Sequence, residues 1–212
     1  MDTHYTFKSI IVGESSTGKS SLIRSFLQKP FNLLHDLTIG VEFEQNIMTV
    51  LDENNDPKHI KLNIWDTAGL ERFQAITHVY FKCCCIVFLV YDVTNATSFK
   101  KVPEWLKIIQ EKCVPHVTIV LIGNKCDTQI RQIHSNEGLT FANNHGILFM
   151  ETSAKTGENV NIVFKMVCEE VLHNHVHSVE NNRKNGIIKG NINTQLIIQS
   201  EPLWGTECCT IT

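Results

Sequence analysis

The chain has 212 residues, 42% of them hydrophobic and 19% charged, enough for one well-buried core and too few for two full-sized domains. A formal net charge of −3, with both signs spread along the chain, makes no basic patch, so nucleic acid is not an expected partner. The start, MDTHYTFK, has neither a basic-then-apolar leader nor a glycine in second place, and the apolar run 83–91 is far short of the roughly 20 residues that span a bilayer; a soluble, intracellular domain is expected.

Residues 7–12 read as a strand and 19–27 as the helix that follows it, a βα unit. Residues 41–50 read as a strand, and 59–65 alternate through Ile60, Leu62 and Ile64. The cluster Glu53, Asn54, Asn55, Asp56 between them is turn-like, so a hairpin forms the antiparallel edge of the sheet. Runs 83–91 and 117–123 are continuously apolar, as in strands buried on both faces of a parallel sheet. Phe99, Val102, Leu106 and Ile109 give a helical stripe, with Pro103 in its first turn or at a kink because it lacks an N–H. Val160, Val163, Phe164, Val167, Cys168 and Val171 mark the last helix. The expected fold is α/β: a three-layer sandwich around a mostly parallel six-stranded sheet with one antiparallel edge strand, ligands lying at the carboxyl ends of the strands.

After about Leu172 the chain turns Asn-rich without an apolar period, which predicts one domain over 1–175 and a flexible tail over 176–212. The alternating His173, His175 and His177 read as solvated surface. Six of the eight cysteines lie in the body, Cys83, Cys84 and Cys85 among them; with no CxxC spacing they read as reduced, packed thiols.

Residues 13–20, GESSTGKS, match G-x-x-x-x-G-K-[ST] at a strand-to-helix junction, where the mechanism requires that motif. The N–H groups of Ser15, Ser16, Thr17, Gly18, Lys19, Ser20 and Ser21 would cradle phosphates with help from the helix dipole. Lys19 would reach the β and γ phosphates and the Ser20 hydroxyl would ligate Mg²⁺. The loop alone does not name the base, since ATPases and adenylate kinases carry it too.

Two further strand-end loops do name it. Asn124, Lys125, Cys126 and Asp127 form NKCD after one buried strand, and 151–155 form ETSAK after another. Guanine presents N1–H and an exocyclic amine on one edge, and the Asp127 carboxylate can accept both, whereas adenine has no matching donors there. The N–H of Ala154, flanked by Ser153 and Lys155, could serve the guanine oxygen, with Asn124 and Lys125 bracing the loops. Together with IGVEF (39–43), KLNIWDTAGLERF (61–73), RFQAIT (72–77) and YDVTNATSF (91–99), these motifs resemble the Rab family of Ras-like small GTPases over residues 7–173.

The resemblance implies a P-loop GTPase fold, GTP and GDP with Mg²⁺ as ligands, and a switch that recruits effector proteins to endomembranes in vesicle trafficking. It implies that Thr38 completes Mg²⁺ coordination, that Asp66 holds the ion through water, that Gly69 offers its N–H to the γ-phosphate and that Phe31 packs against the guanine. Phe31 and Thr38 could otherwise be ordinary loop residues. Ile39, Val41, Phe43, Trp65, Phe73 and Tyr80 would read partners, with plain packing the competing role for Trp65 and Tyr80. Exchange factors, GTPase-activating proteins, and a GDP-dissociation inhibitor or escort protein are the further implied partners of a monomeric chain.

One position departs from the family: Leu70 stands where a glutamine orients the attacking water. Leucine cannot hydrogen-bond water, so unaided hydrolysis is expected below the Ras-like scale of about 10⁻⁴ s⁻¹, unless an activator supplies a glutamine in trans. The same substitution supports an alternative, a GTP-dependent binding module with essentially no hydrolysis. Finally, the end CCTIT resembles a double-cysteine prenylation site, implying geranylgeranyl groups on Cys208 and Cys209 and a place on the cytoplasmic face of endomembranes, cycling with cytosol.

Overall fold

The computed structural model describes residues 5–31, 40–52, 54–67, 80–184 and 209–210. Among them six strands form the continuous path of one sheet, to which a short seventh is added at its flank: β1 (Tyr5–Val12), β2 (Val41–Leu51), β3 (Pro57–Thr67), β4 (Ile86–Asp92), β5 (Thr118–Asn124) and β6 (Leu148–Thr152). Their order is β2-β3-β1-β4-β5-β6. β2 runs antiparallel to β3 at the edge, and all other pairs on this path are parallel, as expected from the sequence. Five helices complete the described chain: α1 (Lys19–Phe26), α2 (Ala96–Lys100), α3 (Val102–Lys112), α4 (Ser135–His145) and α5 (Val160–Lys184).

The pleat divides the core into two layers. Alternate residues of a strand point to opposite faces, so Phe7 and Ile11 of β1 and Phe88 and Val90 of β4 pack on one side with α1 and α5. Ile10, Val12, Val87, Leu89 and Tyr91 pack on the other with α3 and α4. Phe164 of α5 joins the first layer across elements, stacked 3.9 Å from Phe26 of α1 and 4.5 Å from Phe88 of β4.

The helical stripe around Pro103 divides into two helices. Asn95 caps α2 by accepting from the N–H groups of Thr97 and Ser98, and Pro103 sits in the first turn of α3, where its missing N–H costs nothing. The last helix continues past Leu172, where the apolar period ends, to Lys184. Cys209–Thr210 of the tail forms a two-residue strand, β7, antiparallel to Thr6 and Phe7 of β1, on the side that β4 pairs only from Ser9 onwards.

One expectation is corrected. Cys83 and Cys85 each take part in a disulfide rather than being reduced, and they lie in the turn ahead of β4 instead of in the strand. Cys83 takes a positive φ of 60°, and Cys85 is tied by N–H to the Lys8 carbonyl and by its own carbonyl to the Thr118 N–H. The run of three cysteines therefore ends a turn that the apolar pattern had merged with the strand. Cys84, Cys113, Cys126 and Cys168 are free thiols.

Candidate nucleotide site

β1, β3, β4, β5 and β6 all end on the same edge of the sheet, and the motif residues gather there. Strand order turns at β1, which lies between β3 and β4, and a ligand crevice is expected at such a switch point. The loop 13–18 leads directly into α1, whose N-cap is Gly18 with φ 90° and no side-chain cap. The first turn carries no acidic residue either. The positive end of the α1 dipole is thus turned to the loop without an acidic residue in the first turn to offset it, an arrangement suited to anions.

Both loop glycines are required by close approach as well as by positive φ. A Cβ at Gly13 would strike the Val90 backbone carbonyl, and one at Gly18 would strike the Asn124 side-chain amide. Ser16 also has a left-handed backbone, φ 63°, where only glycine is free of strain. Ser15 and Ser16 are exposed at the mouth, while Thr17 and Lys19 are buried.

Lys19 extends back over the loop, donating to the carbonyls of Gly13 at 3.0 Å and Glu14 at 2.9 Å. Burial lowers its pKa to about 8, opposed by the carboxylates of Asp66 and Glu14. Asp66, at the end of β3, is 2% exposed; burial raises its pKa to about 6, opposed by a hydrogen bond from the Ser20 hydroxyl and by the Lys19 charge. Among the described residues its Oδ1 has no hydrogen-bond partner. A buried carboxylate with a free oxygen beside a hydroxyl is a hard oxygen donor set, and it fits Mg²⁺. Ser20 and Asp66 would hold that ion, directly or through water, and the ion would neutralise phosphate charge.

The base side is knitted together. Asn124, 1% exposed, donates through Nδ2 to the Thr17 carbonyl at 2.9 Å and accepts through Oδ1 from the Ala154 N–H at 3.1 Å and the Thr152 hydroxyl at 3.3 Å. The Ser153 hydroxyl donates to Asp127 Oδ1 at 2.7 Å and accepts from the Thr156 N–H. Lys125 donates to the Ser16 carbonyl at 2.9 Å and pairs with Asp92 at 2.5 Å. Three strand-end loops are thereby joined. The Ala154 N–H, expected to be available to the guanine oxygen, is engaged by Asn124, so it can serve a base only by sharing that proton.

Phe31 stands 41% exposed after α1, and Lys155 is exposed beyond Ala154. Thr38, Gly69, Leu70 and Cys208 lie outside the described residues, as do Ile39 and Phe73, and of Cys209 only the backbone is described. Asp92 was not singled out in the sequence, although its place at the end of a buried strand was a signal; it orients Lys125 while its other oxygen accepts from the Thr94 N–H and hydroxyl at 2.8 and 2.7 Å.

A phosphate loop, a magnesium-type carboxylate and a guanine-type acceptor at one sheet edge define a nucleotide-binding switch of the P-loop GTPase class. A family model for the Ras family matches residues 8–173, and the chain belongs to that family. It is thus a small GTPase that binds GTP or GDP with Mg²⁺, hydrolyses GTP, and works with exchange factors, GTPase-activating proteins and effectors, as Ras-family proteins do.

Proposed function

We propose that this small GTPase is a Rab-type switch that recruits effectors to endomembranes in its GTP form, is biased towards that form by Leu70, and is anchored through geranylgeranyl groups on Cys208 and Cys209. The observation that carries the effector reading is a chain of aromatic rings on the sheet edge. Phe43 of β2 lies 4.8 Å from Trp65 of β3, and Trp65 lies 5.0 Å from Tyr80, centroid to centroid. Phe43 is 45% exposed, and Trp65 and Tyr80 are half-buried. Large aromatic side chains left open to solvent suit a partner interface. Trp65 directly precedes Asp66, so the strand that presents the ring also ends in the carboxylate suited to the metal. This coupling of surface to nucleotide state is what a switch needs.

The bias follows from Leu70, which offers no hydrogen bond to an attacking water. Single-turnover hydrolysis of GTP by the full chain with Mg²⁺, beside Leu70→Gln, tests it: the parent is expected to be slower by about tenfold or more. Equal rates would show that another group positions the water. A parent with no measurable turnover, with or without an activating protein, would favour the second reading, a GTP-dependent binding module, for which Leu70 also speaks. Membrane anchoring is tested by intact mass of the protein from its native cells; two unmodified tail thiols would refute it. A GDP-dissociation inhibitor or escort protein belongs to this reading because two lipid chains need cover in cytosol.

A further inference from the structure

Glu14 is the second residue of the phosphate loop, and its side chain leaves the loop for the helix on the other face of the sheet. Its Oε1 accepts from the indole Nε1 of Trp105 at 3.1 Å, on α3. Trp105 is 8% exposed and packed in the layer of Val102, Leu106 and Ile109. α1, the helix that the loop enters, packs in the opposite layer. The Glu14–Trp105 bond therefore ties the entrance of the loop to the far side of the sheet.

The backbone of the same residue carries the loop's internal bonds. Its carbonyl accepts from Lys19 Nζ at 2.9 Å and from the Thr17 hydroxyl at 3.0 Å. Whatever fixes the Glu14 side chain thereby limits the rotation of the carbonyl against which Lys19 rests. A phosphate-contacting lysine is effective when its ammonium is held in place beforehand, since immobilisation is then not charged against binding.

We infer that Glu14 is a positioning residue: by bonding Trp105 of α3 it fixes the loop carbonyl that holds Lys19, and so slows the departure of guanine nucleotide. This rests on the reading of residues 13–20 as the phosphate loop. Trp105 is the second half of the device, a residue remote from the nucleotide in sequence that acts on it through Glu14.

The test is release of a fluorescent GDP analogue from the full chain in Mg²⁺, chased with excess unlabelled GDP, in the parent, Glu14→Ala, Glu14→Gln, Trp105→Phe and the double variant Glu14→Ala/Trp105→Phe. Glu14→Ala is expected to release about tenfold faster, the factor that 1.4 kcal/mol supplies, at the upper end for an ordinary hydrogen bond and just below the lower end, about 1.5 kcal/mol, for one to a charged group. Glu14→Gln keeps an acceptor oxygen and should stay within about threefold of the parent. If Gln were as fast as Ala, the carboxylate would be acting through its charge on Lys19 and the positioning role would fall. Trp105→Phe keeps the packing and removes the N–H; its effect should vanish in the Glu14→Ala background, whereas additive effects would overturn the link. If Trp105→Phe does not fold, the indole N–H resonance of Trp105 decides: it should shift more in Glu14→Ala, where the acceptor is lost, than in Glu14→Gln, where it is only neutralised, and a resonance unmoved in Glu14→Ala would overturn the bond. A parent that holds no guanine nucleotide would overturn the phosphate-loop reading itself, an outcome distinct from tight binding with additive variants.

Discussion

The two ends of the nucleotide site are finished to different degrees. On the base side Asn124, Lys125, Asp127 and Ser153 hold one another and the phosphate loop through bonds of 2.5 to 3.3 Å, with no ligand needed to complete them. On the metal side Asp66 keeps an oxygen that is unpartnered among the described residues, and Lys19 rests on loop carbonyls. The contrast teaches where each ligand interaction draws its strength. A preorganised base pocket loses little when guanine arrives, so it supplies specificity. A metal end that carries a desolvated carboxylate is relieved only when a cation arrives, so it can couple binding of Mg²⁺ and phosphate to the chain around it.

The largest effect is expected from Asp127→Asn. The amide oxygen can still accept from the Ser153 hydroxyl, which now lies 2.7 Å from the carboxylate, so the loop should stand and the melting temperature of the nucleotide-free protein should hold. Guanine loses one charge-assisted acceptor and meets a donor in its place, about 1.5–3 kcal/mol for the lost bond alone. Calorimetric titration with GDP should show affinity lower by about 10²-fold or more. Should the loop melt instead, the base side would depend on its charge to hold together, and the comparison would break there.

A smaller effect tests the metal end by pH. Asp66 ordinarily titrates at 3.8 and does so at about 6 in the fold. The folded state then holds the proton more tightly, so nucleotide-free stability is full below pH 3.8, falls as pH rises through 3.8 to 6, and stays lowered above that by on the order of 3 kcal/mol. About 1.4 kcal/mol of this falls between pH 5 and 7.5. Lys19, depressed to about 8, adds its own slope only at higher pH, where stability rises as its favoured neutral form becomes the common one. Thermal unfolding of the ligand-free chain at pH 5 and 7.5 reads the effect. Asp66→Asn should remove the slope and abolish the stabilisation by Mg²⁺ and GDP together; an unchanged slope in Asp66→Asn would mean that the burial of this carboxylate is not what lowers stability.

Much of this was legible in the sequence because the decisive signals are short. GESSTGKS, NKCD and ETSAK each fit within one strand-end loop, and the alternation of Ile60, Leu62 and Ile64 sufficed to place the hairpin strand. α4 was not singled out because only Gly138 and Ala142 of it are buried, too narrow a stripe to show a period. The pairs that organise the site were equally silent. Glu14 with Trp105, Asp92 with Lys125, and Arg131 with Glu151 at 2.6 Å join residues far apart in the chain. No local pattern announces such a pair; it exists only once the sheet has set the strand ends side by side.

The smallest expected effect lies at the joint between the two ends. Ser16 and Lys125 both have left-handed backbones, φ 63° and 68°, and the Lys125 ammonium donates to the Ser16 carbonyl. A side chain in that region costs about 1–2 kcal/mol relative to an ordinary conformation, and glycine escapes most of it at some cost in unfolded-state entropy. Ser16→Gly should therefore stabilise the nucleotide-free protein by about 0.5–1 kcal/mol, raising its melting temperature by about 1–4 °C. Because the hydrogen bond from Lys125 uses the backbone, it survives the change and the base pocket should keep its affinity for GDP. A gain in stability with unchanged affinity would show that the joint holds strain that neither end needs for binding. A weaker affinity in Ser16→Gly would show the reverse: that the serine, by restricting the loop, keeps the prepared base pocket in register with the unfinished phosphate end.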